Sequence, residues 1–166
     1  MSNVIYPKII ELKQSMSSRE FSLKIEIVYF INFMIALFIL IFFLVFGEGL
    51  VLFLFGREYL GSSDVLLIYA FSLVLVFFAA NNNKLLMMGN LQKMMLGRNV
   101  FGLIVNIILN IVLIPEYGIK GAAIATVLTQ IMIMFSYGAN RRTRYILWIQ
   151  LKAMIYPIVL LARRVF

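Results

Sequence analysis

The stretch IVYFINFMIALFILIFFLVF, residues Ile27–Phe46, decides the fold. It is twenty residues long and carries no charge. At 1.5 Å rise per residue a helix of that length is about 30 Å long, one hydrocarbon thickness of a bilayer. In lipid every backbone N–H and C=O must be satisfied within the segment, which makes an uninterrupted apolar run a helix. A barrel strand would alternate polar and apolar side chains, and this run does not.

Similar stretches follow. Val65–Ala80 is the second apolar run, with helical character continuing through Asn81–Met88. The third is Val100–Ile114, expected to begin near Leu96–Asn99 and to end at Pro115. The fourth is Gly121–Ala139. Tyr145–Ala162 is weaker, since it holds Gln150, Lys152 and Pro157, and a charge near mid-span costs about 2.5–3.5 kcal/mol on insertion scales. It is expected to span beside a partner helix or to lie in the interface. The fold class is therefore an all-α membrane protein, a polytopic transmembrane bundle of four to five helices. Residues 1–24 form a lead-in, 25–140 the four-helix region, and 141–166 a basic loop with the fifth helix.

Composition agrees. The chain has 166 residues, 63% of them apolar and 13% charged, and a mean hydropathy of +1.00. A soluble domain of this size leaves about 30% of its unfolded-chain surface in water and could not cover so much apolar area. There is no His and no Cys, which removes the imidazole base, the thiol nucleophile and the common zinc and haem ligands. The seven carboxylates, Glu11, Glu20, Glu26, Glu48, Glu58, Asp64 and Glu116, all lie outside the uncharged apolar runs, so no acid–base pair sits within the membrane. No Gly-rich phosphate loop occurs. An enzyme is not expected, and neither is a cofactor or a metal.

The net charge of +8 is distributed in short clusters between apolar runs. A nucleic-acid face would need a continuous basic stripe, so no nucleic-acid partner is expected. The clusters alternate. Lys8, Lys13, Arg19 and Lys24 precede the first run; Arg57 alone follows it; Lys84, Lys93 and Arg98 follow the second; Lys120 alone follows the third; Arg141, Arg142 and Arg144 follow the fourth. The positive-inside rule places the N-terminus, 81–99 and 140–145 in the cytoplasm, and 47–64 and 116–120 outside. The expected location is a multi-pass position in the plasma (inner) membrane.

The stretch Asn106-Ile-Ile-Leu-Asn110-Ile-Val-Leu-Ile-Pro115-Glu-Tyr-Gly118-Ile-Lys-Gly121-Ala-Ala-Ile-Ala-Thr126 resembles the C-terminal half of polysaccharide (lipid-linked oligosaccharide) flippases. These belong to the multidrug/oligosaccharidyl-lipid/polysaccharide exporter superfamily. Tyr6-Pro7-Lys8-Ile-Ile-Glu11-Leu and Leu54-Phe-Gly-Arg-Glu-Tyr59 fit in order and spacing. The resemblance implies part of the second bundle of a two-bundle transporter, with Met1 an internal or reassigned start. It also implies a separate or missing N-terminal bundle as partner, and a lipid-linked glycan as cargo. Cation sites placed by the resemblance in the first bundle are not carried over.

Several polar residues then have two readings. Asn99, Gly102, Asn106 and Asn110 step by three, four and four along one helix face. They serve either interhelical hydrogen bonds or a polar wall for sugar. Gly121 with Ala125, and Ala122 with Thr126, are small-residue pairs suited to close helix packing. Thr126, Thr129 and Gln130 continue a polar stripe, with Thr126 and Gln130 as cargo candidates. Asn81, Asn82, Asn83 and Lys84 end the second helix. Lys84 either snorkels to headgroups or attracts the cargo's diphosphate, with the amides bonding sugar hydroxyls. The alternative function is a small non-transporting membrane scaffold or assembly subunit. A fragment of a drug-exporting relative is a third.

Overall fold

The computed structural model describes residues 18–165; the segment 1–17, with the Tyr6–Leu12 motif, lies outside the described residues. Side chains are described as far as Ile155. Among the described residues five α-helices follow one another: α1 (Ser18–Phe55), α2 (Ser62–Met88), α3 (Gln92–Tyr117), α4 (Ile119–Ser136) and α5 (Arg144–Val165). Short 3-10 turns at Arg57–Tyr59 and Tyr137–Ala139 join α1 to α2 and α4 to α5. Among the described residues there is no strand. The first four helices are long and apolar enough to cross a membrane.

The helices are longer than the uncharged runs. α1 is a single helix of 38 residues, about 57 Å at 1.5 Å per residue. It begins inside the expected lead-in and continues past Gly47, Glu48 and Gly49 to Phe55. Glu48 is exposed and lies beyond the uncharged run Ile27–Phe46, so a helix that continues past the apolar core can carry its charge. α3 likewise starts at Gln92 and runs through Pro115 to Tyr117, correcting the expected stop at proline. Pro115 lies in the last turn, where its missing N–H removes one hydrogen bond only. The helix stops instead at Gly118, whose N–H donates to the Ile114 carbonyl at 2.8 Å. Its φ of +58° is disfavoured for residues carrying a Cβ.

α2 packs against α1 and α4, and α4 packs against α2 and α3. The four spans form an open row in the order α1, α2, α4, α3. The tightest approach is at Gly121. A Cβ there would stand 2.2 Å from the Leu113 carbonyl oxygen, so α3 and α4 touch backbone to backbone. Gly121, Ala123 and Ala125 are all buried. Small residues permit such an approach, and the packing reading of this stretch accounts for them. The outward face of α3 (Leu103, Ile104, Ile107, Ile108, Ile111, Val112) is exposed, as expected where the surroundings are hydrocarbon rather than water.

α5 is not among the four candidate spans. The Asn82 side chain receives hydrogen bonds from Tyr29 and Gln150, and Lys152 pairs with Glu26 at 3.2 Å. Positions step down α1 as they step up α5. The helix therefore runs back toward the start of α1 instead of advancing through the row. Lys152, a difficulty for a spanning helix, is exposed and neutralised by a carboxylate.

The two ends of the row differ in charge. Arg98 donates to both Ser136 and Thr143, which places 81–99 and 140–145 at one end. Lys120 pairs with Asp64 at the other. The basic clusters thus share one end, and the two connections that carry a single cation each share the opposite one.

Candidate functional site

Three polar centres lie in the interior among the described residues. The first is built on Asn82, 2% exposed, near the end of α2. Its side-chain oxygen accepts from the Tyr29 hydroxyl at 2.6 Å and from Gln150 Nε2 at 2.7 Å. Tyr29 comes from α1 and Gln150 from α5, so one amide ties three helices. Phe78, one turn before Asn82, packs on Tyr29 with ring centroids 5.5 Å apart and stacks on Phe33 at 6.4 Å. These apolar rings lower the local dielectric around the bonds, which strengthens them.

Beside this node is a cavity of about 40 Å³ whose polar lining is Asn82, Gln130, Tyr137 and Gln150. The side-chain oxygens of Gln130 and Gln150 are buried without a hydrogen-bond partner. Both glutamines line this cavity, whose remaining walls, Leu75, Phe78, Ala79, Ile133 and Met134, are apolar. Chemically, the cavity offers amide oxygens and no ionisable carboxylate.

The second centre lies between α3 and α4. Asn106 Nδ2 donates to Thr129 Oγ1 at 3.3 Å. Asn110 Nδ2 donates to both the backbone and side-chain oxygens of Asn106, at 2.8 and 2.9 Å. Thr126 and Thr129 each donate their hydroxyl to a carbonyl one turn earlier, at 3.0 and 2.8 Å.

The third centre is Arg98, one turn before Gly102 on α3. Its guanidinium carbon sits 4.2 Å from the Tyr137 ring centroid. Nε donates to Ser136 Oγ at 3.2 Å and one terminal nitrogen to Thr143 Oγ1 at 2.7 Å. The residue is 9% exposed.

The structure therefore divides the sequence-derived residues. Asn82 and Gln130 meet at one cavity; Asn106 and Asn110 belong to the α3–α4 seam; Thr126 is bonded within its own helix. Asn81 is buried with Nδ2 unpartnered, Asn83 is half-buried and Lys84 is exposed. The expected inward stripe on α3 holds at Gly102, Asn106 and Asn110. At its start the inward position belongs to Arg98, while Asn99 is exposed. Tyr29, Tyr137, Thr143 and Gln150 escape a residue-by-residue reading because each is a lone polar group in an apolar or basic context. A glutamine in the weakest apolar run was the visible signal for Gln150.

No protein-family profile matches the chain, and no solved structure matches it. The chain is similar to the capsular polysaccharide biosynthesis protein CapF of Staphylococcus aureus, at 26% identity over 137 residues. That alignment covers 82% of this chain and 35% of the relative, so the chain spans about a third of the length of the curated relative it matches.

Proposed function

We propose that the chain is the later part of a membrane transporter that flips a lipid-linked oligosaccharide across the plasma membrane for polysaccharide biosynthesis. The observation that carries this reading is the pairing of four membrane-length helices with similarity, over most of the chain, to a protein of capsular polysaccharide biosynthesis. The role is translocation, without bond making or breaking. The basic end, with Lys84, Lys93, Arg141, Arg142 and Arg144, faces the cytoplasm by the positive-inside rule. The amides of Asn81, Asn82, Asn83, Asn106 and Asn110, with Thr126 and Gln130, line the cargo path when a first bundle faces this one. Two bundles rocking about a polar midplane cavity supply alternating access.

At the two edges of the open row, α1 and α3 present apolar faces suited to lipid or to a further bundle. The experiment is complementation. The chain is co-expressed with an upstream helix bundle in a host lacking its flippase, and surface polysaccharide is measured. Rescue supports the reading; no rescue by inserted, stable protein contradicts it.

A membrane scaffold or assembly subunit is the second reading. The observation favouring it is that Asn82, Asn106, Asn110 and Thr126 already have hydrogen-bond partners inside the row.

A further inference from the structure

The Arg98 centre has a property that packing does not explain. Its guanidinium is held by neutral groups on three sides: a hydroxyl from α4, a hydroxyl from Thr143 and the ring face of Tyr137. Neither of the two ion pairs among the described residues includes it. Nη1 is buried and has no hydrogen-bond partner. A buried cation left with an orphaned donor is costly to desolvate, and natural structures pair such charges.

The frame is itself oriented. Ser136 Oγ donates to the Ile133 carbonyl at 2.6 Å, and Thr143 Oγ1 donates to the Tyr137 carbonyl at 3.0 Å. Both hydroxyl protons are thereby used, and both oxygens are left to accept from Arg98. Nε and one terminal nitrogen are held in this frame, and the positive charge is left uncancelled.

Arg98 lines an open pocket of about 310 Å³ together with Met94, Gly97, Phe101, Ser136 and Asn140. The pocket is at the basic end of the row, where Lys93, Arg141, Arg142 and Arg144 are exposed. Two of its walls, Met94 and Phe101, are apolar, and Leu96 and Val100 beside them are exposed. A matching ligand joins a phosphate to an apolar chain. Arginine recognises phosphate oxygens by charge-assisted hydrogen bonds.

We propose that Arg98 and its pocket bind the phosphate of a membrane lipid at the basic end of the row. This extends the transport reading by naming a chemical group that this chain holds, and Arg98 is separate from the cargo residues named above. Binding turns the guanidinium far enough for Nη1–H, buried in the free chain, to meet a phosphate oxygen, while the lipid chain lies along Met94 and Phe101.

The test uses the full chain in detergent and three probes: dihexanoyl phosphatidic acid, inorganic phosphate and dihexanoylglycerol. The expected order is phosphatidic acid tightest, inorganic phosphate at least tenfold weaker, and the phosphate-free lipid without measurable binding. Arg98→Gln weakens phosphatidic acid binding at least tenfold, whereas Arg142→Gln, at an exposed basic position of the same end, changes it less than threefold. Protection of Arg98 from phenylglyoxal, read by peptide mass spectrometry on the unaltered chain, needs no variant to fold. Phosphatidic acid should protect Arg98 more than Arg142. Equal protection, equal loss in the two variants, or equal affinity for inorganic phosphate overturns the proposal. Because binding is read without transport, intact binding with failed complementation would count against the transport reading alone.

Discussion

Gln150 Nε2 lies 2.7 Å from the side-chain oxygen of Asn82, across 68 residues of sequence. That bond anchors α5 to the end of α2, and Tyr29 joins it at the same oxygen. Interhelical polar bonds in membrane proteins average about 0.6 kcal/mol and reach about 1.7 kcal/mol. Asn82 makes two, and its loss strands two buried donors. Asn82→Leu should destabilise the fold by about 1–3 kcal/mol, and Gln150→Leu by about half as much. The double substitution should cost less than the sum, since it removes both partners of one bond. Unfolding in mixed micelles followed by circular dichroism checks all three; strict additivity would mean the two amides are not coupled.

Gly121 and Gly97 make an internal comparison. A Cβ on Gly121 collides with the α3 backbone, whereas one on Gly97 meets nothing within 4 Å. Gly121→Ala must push two helices apart and should cost about 1–3 kcal/mol. Gly97→Ala should be neutral or stabilising by up to about 1 kcal/mol, because alanine is the better helix former. The same unfolding assay reads both, and equal effects would show that α3 and α4 do not approach as closely as described.

The Lys120–Asp64 pair is about half exposed on each side. Exposed pairs contribute at most about 1 kcal/mol and are screened by salt. Asp64→Asn should change stability by less than that, with the difference vanishing at high ionic strength. A loss that persists in molar salt would mark Asp64 as having a further role.

The polar residues separate transport from scaffolding. With an upstream bundle supplied, Gln130→Leu and Asn106→Leu should each reduce surface polysaccharide severalfold while the protein still accumulates in the membrane. Gln130 is the sharper probe, since it lines the cavity and its buried side-chain oxygen has no hydrogen-bond partner. Falling protein levels in step with polysaccharide would favour the scaffold.

Much of the fold was legible, for a reason specific to lipid. An uncharged run such as Ile27–Phe46 has only one way to satisfy its backbone there. Element ends were less legible, because Glu48 at an exposed position and Pro115 in a last turn are both compatible with helix. The site was legible by residue type but not by partner. Arg98 and Asn99 are adjacent, and both lie within four residues of Gly102. Only the rotation of α3 against α4 decides that Arg98 turns inward. The Tyr29–Asn82–Gln150 node depends on three helices from distant parts of the chain, which no local spacing encodes.

The central claim is that the row crosses a bilayer with its basic end inside. The chain contains no cysteine, so single replacements report position without background. Ser62→Cys and Arg141→Cys, both at exposed positions, can be treated in intact cells with a membrane-impermeant maleimide. The account predicts that residue 62 is labelled at once and that residue 141 reacts only after permeabilisation. Labelling of both positions from the same face of the membrane would contradict it.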